Sequence, residues 1–201
     1  MTANAWVLGA LRDSPRRVLE IGCGDGELAL ALATAGHDVV AIDPDAPEGA
    51  IFHRVRLEEF SPSAAFDAVV ASLSLHHIAD LEAAVDKVAG MLVPEGGFVV
   101  NEFAWERLDR RAAGWAAERL GDVDAAAVEA QWEREHRDLH MGRAVLAALE
   151  RRFDRLELEW APYIARMLRQ PEAEADEACA IEAGALDPVG FRWIGRQQGL
   201  P

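Results

Sequence analysis

The chain has 201 residues, 51% of them hydrophobic, and carries 35 acidic against 20 basic side chains for a net charge of −15. This composition suits one folded domain with a sizeable core and excludes global disorder. The acidic balance repels phosphate backbones and anionic lipid, so neither nucleic acid nor membrane is an expected partner.

Residues 4–12 set Trp6, Val7, Leu8 and Leu11 at helical spacing and predict a short helix, which Asp13-Ser14-Pro15 breaks. Arg17 to Ile21 predicts a strand that runs into a glycine loop, Gly22-Cys23-Gly24-Asp25-Gly26. Glu27 to Ala35 reads as a helix, with Gly36 where a C-terminal cap belongs. Strands follow at Asp38 to Asp43, more weakly at Phe52 to Leu57, and at Phe66 to Leu73, a nearly continuous apolar run. Leu81 to Leu92 is an amphipathic helix, residues 94–97 a turn, and Phe98 to Phe103 a fifth strand. Residues 104–150 hold no strand pattern and predict two or three helices, an insertion placed to act as a cap. Strands return at Leu156 to Trp160 and Phe191 to Gly195, separated by helix-like stretches at 162–169 and 172–185. The whole reads as a single α/β domain over residues 1–201.

The glycine loop carries the chemistry. Glycines after a strand let the backbone turn sharply and come close to a ligand, and the next helix offers unpaired N–H groups. Asp43 lies 21 residues after Gly22, at the end of the second strand, where a carboxylate can accept both hydroxyls of a ribose. The spacing is G-x-G-x-G, and Glu20 and Asp25 put carboxylates before and inside the loop. Those charges oppose a pyrophosphate and favour an ammonium and a sulfonium, so S-adenosylmethionine is expected over NAD.

VLEIGCGDGELALALATAGHDVVAIDPD resembles the first motif and second strand of class I S-adenosylmethionine-dependent methyltransferases. FDAVVASLSLHHIADLEAAVDKVAGMLVPEGGFVVNEF resembles the fourth strand, helix and fifth strand of their small-molecule branch. The resemblance implies a Rossmann-like, seven-stranded, mostly parallel sheet with helices on both faces, an insertion after the fifth strand, and Phe191 to Gly195 as an antiparallel strand. It implies that Gly22, Cys23, Gly24 and Gly26 line the methionine part of the cofactor. Glu20 supports its ammonium, Asp43 its ribose, and Pro44 its adenine. Ser72 and Leu73 face the methionine end, with His76 close to the transferred methyl. Many relatives carry an acidic and then a small residue after the third strand to read the adenine edge; here Arg56 and Leu57 stand there. Arginine cannot accept from the adenine amino group, so Glu58 is expected to take over, with the Leu57 amide as donor.

The acceptor is expected beyond the carboxyl ends of the strands, around His77, Glu102 and Trp105. His76 is the candidate base; the bland reading of SLSLHHI is a structural strand-to-helix turn with one histidine capping. Trp132, His136 and His140 share one helix face and are candidate substrate contacts. The two histidines also have metal-ligand spacing, but Glu133 lies off their stripe and no metal site is expected. The expected activity is methyl transfer to an O, N or C atom of a small molecule. The alternatives are a non-catalytic S-adenosylmethionine-binding protein or an NAD-dependent oxidoreductase, against which the glycine spacing and the lack of a Tyr-x-x-x-Lys pair argue. Cys23 and Cys179 make no disulfide framework, and Met1 to Arg12 lacks the pattern of a signal peptide. No uncharged apolar run reaches the roughly 18 residues of a membrane helix, so the expected location is cytoplasmic. The oligomeric state leaves no signature.

Overall fold

A computed structural model describes residues 2–12, 16–121 and 123–198; the expected break at Asp13-Ser14-Pro15 lies outside them. Its centre is strand β1 (Arg17–Ile21), whose side chains alternate between two helical layers. Leu19 and Ile21 join the core under helices α3 (Leu81–Met91) and α6 (Gly142–Arg152). Val18 joins the opposite core with Trp6 and Val7 of α1 (Ala3–Ala10) and Leu28, Ala29 and Leu32 of α2 (Glu27–Thr34). Glu20 shares the α1–α2 face with Val18 and is 2% exposed.

The remaining strands are β2 (Asp38–Asp43), β3 (Phe52–Arg54), β4 (Phe66–Ser72), β5 (Leu92–Phe103), β6 (Phe153–Ala161) and β7 (Gly190–Gln197). They form a seven-stranded sheet in the order β3-β2-β1-β4-β5-β7-β6. Pairing is parallel from β3 to β5, and β7 runs antiparallel to both β5 and β6. The order reverses between β1 and β4, so a crevice opens beyond their carboxyl ends, the usual ligand position in such sheets.

Several boundaries differ from the sequence pattern, among them the start of β6 at Phe153 in place of Leu156. The third strand stops at Arg54, because Val55 to Phe60 turn back through Phe60 N–H bonds to the Arg56 and Leu57 carbonyls. The turn expected at 94–97 is absorbed into β5 as an irregularity: the register jumps from Phe66–Leu92 to Ala68–Gly97, with Glu95 at φ 62°.

After β5 the chain makes a short turn (Trp105–Arg107), then α4 (Arg110–Leu120), α5 (Ala125–His136) and α6. Val145, Ala148 and Leu149 of α6 belong to the sheet's own core, whereas α4 and α5 build a separate one with Phe103, Val128 and Trp132. The α4–α5 stretch is clasped at its two ends. Glu106 accepts from the Gly142 and Arg143 N–H groups, both at 2.9 Å, and a Cβ at Gly142 would overlap Ala104. Between β6 and β7 lie α7 (Ile164–Met167) and α8 (Glu174–Glu182). Among the described residues, no helix is long and apolar enough to cross a membrane.

Candidate functional site

The glycine loop is shaped by steric necessity. Gly22 has φ 73°, and a Cβ there would overlap the Ser74 side chain. Ser74 Oγ donates to the Ile21 carbonyl at 2.8 Å, which ties the end of β1 to the turn after β4. Gly24 has φ 52° and its N–H donates to Asp43 Oδ2 at 3.1 Å; Asp43 Oδ1 accepts from Asp45 N–H at 2.8 Å. Gly26 caps α2 at φ 83°, against the Phe52 ring. Asp25 Oδ1 accepts from Glu27 N–H at 3.2 Å, so this helix N-terminus already holds a carboxylate of its own.

Two cavities meet at Gly22 and Gly24. One, of about 380 Å³, is walled by Ile42, Asp43, Pro44, Arg56, Leu57, Glu58, Leu73 and His77. The other, of about 450 Å³, is walled by Glu20, Cys23, Asp25, Ser72 and Arg166, with Thr2 and Ala3 at the start of α1. Both volumes suit small-molecule recognition. Glu20 Oε2 is buried there without a hydrogen-bond partner among the described residues. Burial, then the carboxylates of Asp25 and Asp43, push the Glu20 carboxyl up to about 8. A buried carboxylate without a partner suits a cationic ligand group. Burial, then the carboxylates of Glu20 and Asp43, push the Cys23 thiol up to about 12, which keeps it protonated and unreactive.

The turn after β4 gives the two adjacent histidines different surroundings. Leu73, at φ 57°, reverses the chain, and Leu75–His77 form one 3-10 turn. His76 is 5% exposed and lines neither cavity: its Nδ1 lies 2.7 Å from Glu102 Oε2. Glu102, 1% exposed, also accepts from the N–H groups of Leu75, His76 and Phe103. His76, the histidine expected beside the methyl, lines neither cavity; the neighbouring His77, its ring centroid 4.1 Å from that of His76, lines the first. Partial burial of its ring, then the nearby His76, lower the His77 pKa below its ordinary 6.5, with His136 adding to the effect and Glu102 opposing it.

The other expected substrate contacts lie outside both cavities. Glu102 is the buried staple just described. Trp132 is in the core of the insertion. His136 Nδ1 donates to the Trp132 carbonyl at 2.7 Å, an intrahelical bond, and Trp105 stacks on its ring at 6.5 Å. His140 fastens the insertion to the 75–78 turn, its N–H donating to the His76 carbonyl at 3.1 Å and its Nε2 to the Ile78 carbonyl at 2.7 Å. Among the described residues, no group of three His, Cys, Asp or Glu side chains is placed to hold a metal ion. Sequence reasoning missed Ser74, whose contact with Gly22 spans two strands, and Arg166, which reaches the second cavity from beyond β6. Neither position carries a motif signal.

This strand order, the crevice at its switch point and the glycine loop define the fold of class I S-adenosylmethionine-dependent methyltransferases. The chain matches the methyltransferase-domain family over residues 3–161 and belongs to that family. An uncharacterized methyltransferase of Mycobacterium tuberculosis is 36% identical over 101 residues, covering 43% of this chain and 50% of that one. The chain thus spans about half the length of the curated relatives it matches. Among solved structures, the N-methyltransferase NodS of Bradyrhizobium japonicum, in complex with S-adenosyl-L-homocysteine, has a similar fold. Its TM-score is 0.61 at 16% identity, over 96% of this chain and 84% of that one. The 1,6-didemethyltoxoflavin-N1-methyltransferase of Burkholderia thailandensis, with 1,6-didemethyltoxoflavin and S-adenosylhomocysteine bound, gives 0.62 at 17% identity, over 97% and 76%. At such identities the likeness is one of fold.

Proposed function

We propose that the chain binds S-adenosylmethionine across the two joined cavities and transfers its methyl group to a small-molecule acceptor. The observation that carries this reading is the buried, unpartnered Glu20 carboxylate beside a glycine turn that no side chain fits. A dinucleotide is disfavoured by the same geometry, since Asp25 occupies the α2 N-terminus where a pyrophosphate would sit.

When bound, S-adenosylmethionine supplies an electrophilic methyl on a sulfonium. The chain's own residues hold and orient it. Glu20 accepts from the ammonium, and Asp43, fixed by the Gly24 and Asp45 amides, accepts from the ribose hydroxyls. Ile42, Pro44 and Leu57 wall the adenine, and Glu58 accepts from its amino group beside Arg56. Ser72 and Leu73 border the sulfonium. His77, neutral near pH 7, takes a proton from an acceptor that must lose one. The insertion, latched by His140, excludes water from the strand ends. The net charge of −15 supports a small acceptor over a nucleic acid.

Titration calorimetry with S-adenosylhomocysteine and with NAD tests the cofactor: the first is expected to bind and the second not. Release of S-adenosylhomocysteine from S-adenosylmethionine in the presence of a metabolite pool tests the transfer. Binding without any turnover leaves the non-catalytic alternative, and preferential NAD binding overturns the reading.

A further inference from the structure

We propose that Arg166 receives the carboxylate of the cofactor's methionine end and that Glu177 positions it; this rests on the function proposed above. The cavity beside the glycine loop is lined by three acidic side chains, Glu20, Asp25 and Glu27, and by one basic one, Arg166. An amino acid brings an ammonium and a carboxylate on the same carbon. Glu20, buried and without a hydrogen-bond partner at Oε2, suits the ammonium and repels the carboxylate. The carboxylate must turn toward positive potential, and Arg166 is the cation on that wall. Among the described residues no ion pair or hydrogen bond engages its guanidinium. By contrast, Arg111 and Arg152 each hold carboxylates within 3 Å. Thr2 and Ala3 line the same cavity and bring the amide end of α1, which adds to the positive potential.

The four residues of α7 are too few to fix their own geometry. Glu177 of α8, wholly buried, fixes it by accepting from the N–H groups of Tyr163, Ile164 and Ala165 at 2.8, 2.9 and 2.7 Å. The Tyr163 ring stacks on Phe103 at 4.5 Å, which anchors the same turn to the end of β5. Arg166 is the next residue along, so its backbone is set by two contacts the cofactor does not touch. Glu177 is a positioning residue in this scheme.

Calorimetry on the full chain with two probes tests it: S-adenosylhomocysteine, and 5′-methylthioadenosine, which lacks the amino acid. Arg166→Ala is expected to weaken S-adenosylhomocysteine roughly tenfold or more while leaving 5′-methylthioadenosine within about twofold. Arg166→Lys should recover part of the loss, and Glu177→Gln should weaken the first probe more than the second. Arg166 is exposed, so its variants are expected to fold, which thermal melting checks. Unchanged S-adenosylhomocysteine affinity, or equal losses for both probes, overturns the inference while the cofactor reading stands. A wild-type chain that binds neither probe removes both.

Discussion

His76 Nδ1 lies 2.7 Å from Glu102 Oε2 with both side chains out of solvent, and the same carboxylate accepts three backbone N–H bonds. Removing one partner of such a buried cluster leaves the others unsatisfied. Glu102→Ala is expected to destabilise the fold by about 3–5 kcal/mol, measured by urea unfolding, with Glu102→Gln less severe. A loss below ~1 kcal/mol would contradict a structural role for the pair.

For His77 the expectation is kinetic. His77→Gln should lower turnover at least tenfold, within the usual range for a general base, and leave S-adenosylhomocysteine affinity nearly unchanged. Its folded pKa is below 6.5, so the wild-type rate should fall only on the acid side of that value as the ring gains its proton. The variant's profile should lack that acid limb. A wild-type limb that survives in the variant assigns the proton elsewhere.

Glu20 makes ligand-free stability depend on pH. Its carboxyl is raised from 4.5 to about 8 in the folded chain, so the native state keeps a proton that the unfolded chain releases. Stability is therefore fullest below about 4.5 and declines as pH rises toward about 8. Glu20→Gln should melt higher than wild type at pH 8 and show less of that decline. A cationic ligand reverses the preference, because it favours the ionised carboxylate. The ratio of wild-type to Glu20→Gln affinity for S-adenosylmethionine should climb with pH, by at most roughly tenfold per unit, and level off above about 8. Taking the ratio cancels the ligand's own amine titration. A flat ratio across that window means Glu20 does not face the cation.

Gly22→Ala combines a left-handed backbone at φ 73° with an overlap on Ser74. The backbone alone costs about 1–2 kcal/mol, and relief of the overlap shifts the turn after β4. Cofactor affinity is expected to fall more than about tenfold, read by calorimetry, with Ser74→Gly recovering part of it in the double variant. Full affinity in Gly22→Ala would show that the close approach is dispensable.

Strands β1 and β2 were legible to the residue, because an apolar run bounded by the glycine loop and by Asp43 leaves little freedom. The walls of the first cavity were legible for a related reason: Gly22, Gly24, Asp43, Pro44, Leu57 and Glu58 lie at or just beyond strand ends, where topology brings them together. Which of two consecutive histidines faces the cavity was not legible. Both sit in a single 3-10 turn with ring centroids 4.1 Å apart, and His76 is drawn out of the cavity by Glu102, 26 residues away. Trp132 and His136 share a helix stripe, but α5 ends at His136, so His140 lies beyond that helix, and the stripe meets Phe103 and α4 before it meets the cavity. Arg166 was invisible because its placement depends on Glu177, a contact between two segments with no periodic signal.

The clasp between Glu106 and the Gly142–Arg143 amides sets the start of the insertion beside the first residues of α6, with α4 and α5 looped out between them. A segment anchored this way behaves as an exchangeable cassette: its interior can lengthen, shorten or change sequence while the seven strands keep their threading. On the proposed function, a change of acceptor would then require new helices above an old cradle, and the nucleoside grip could stay as it is.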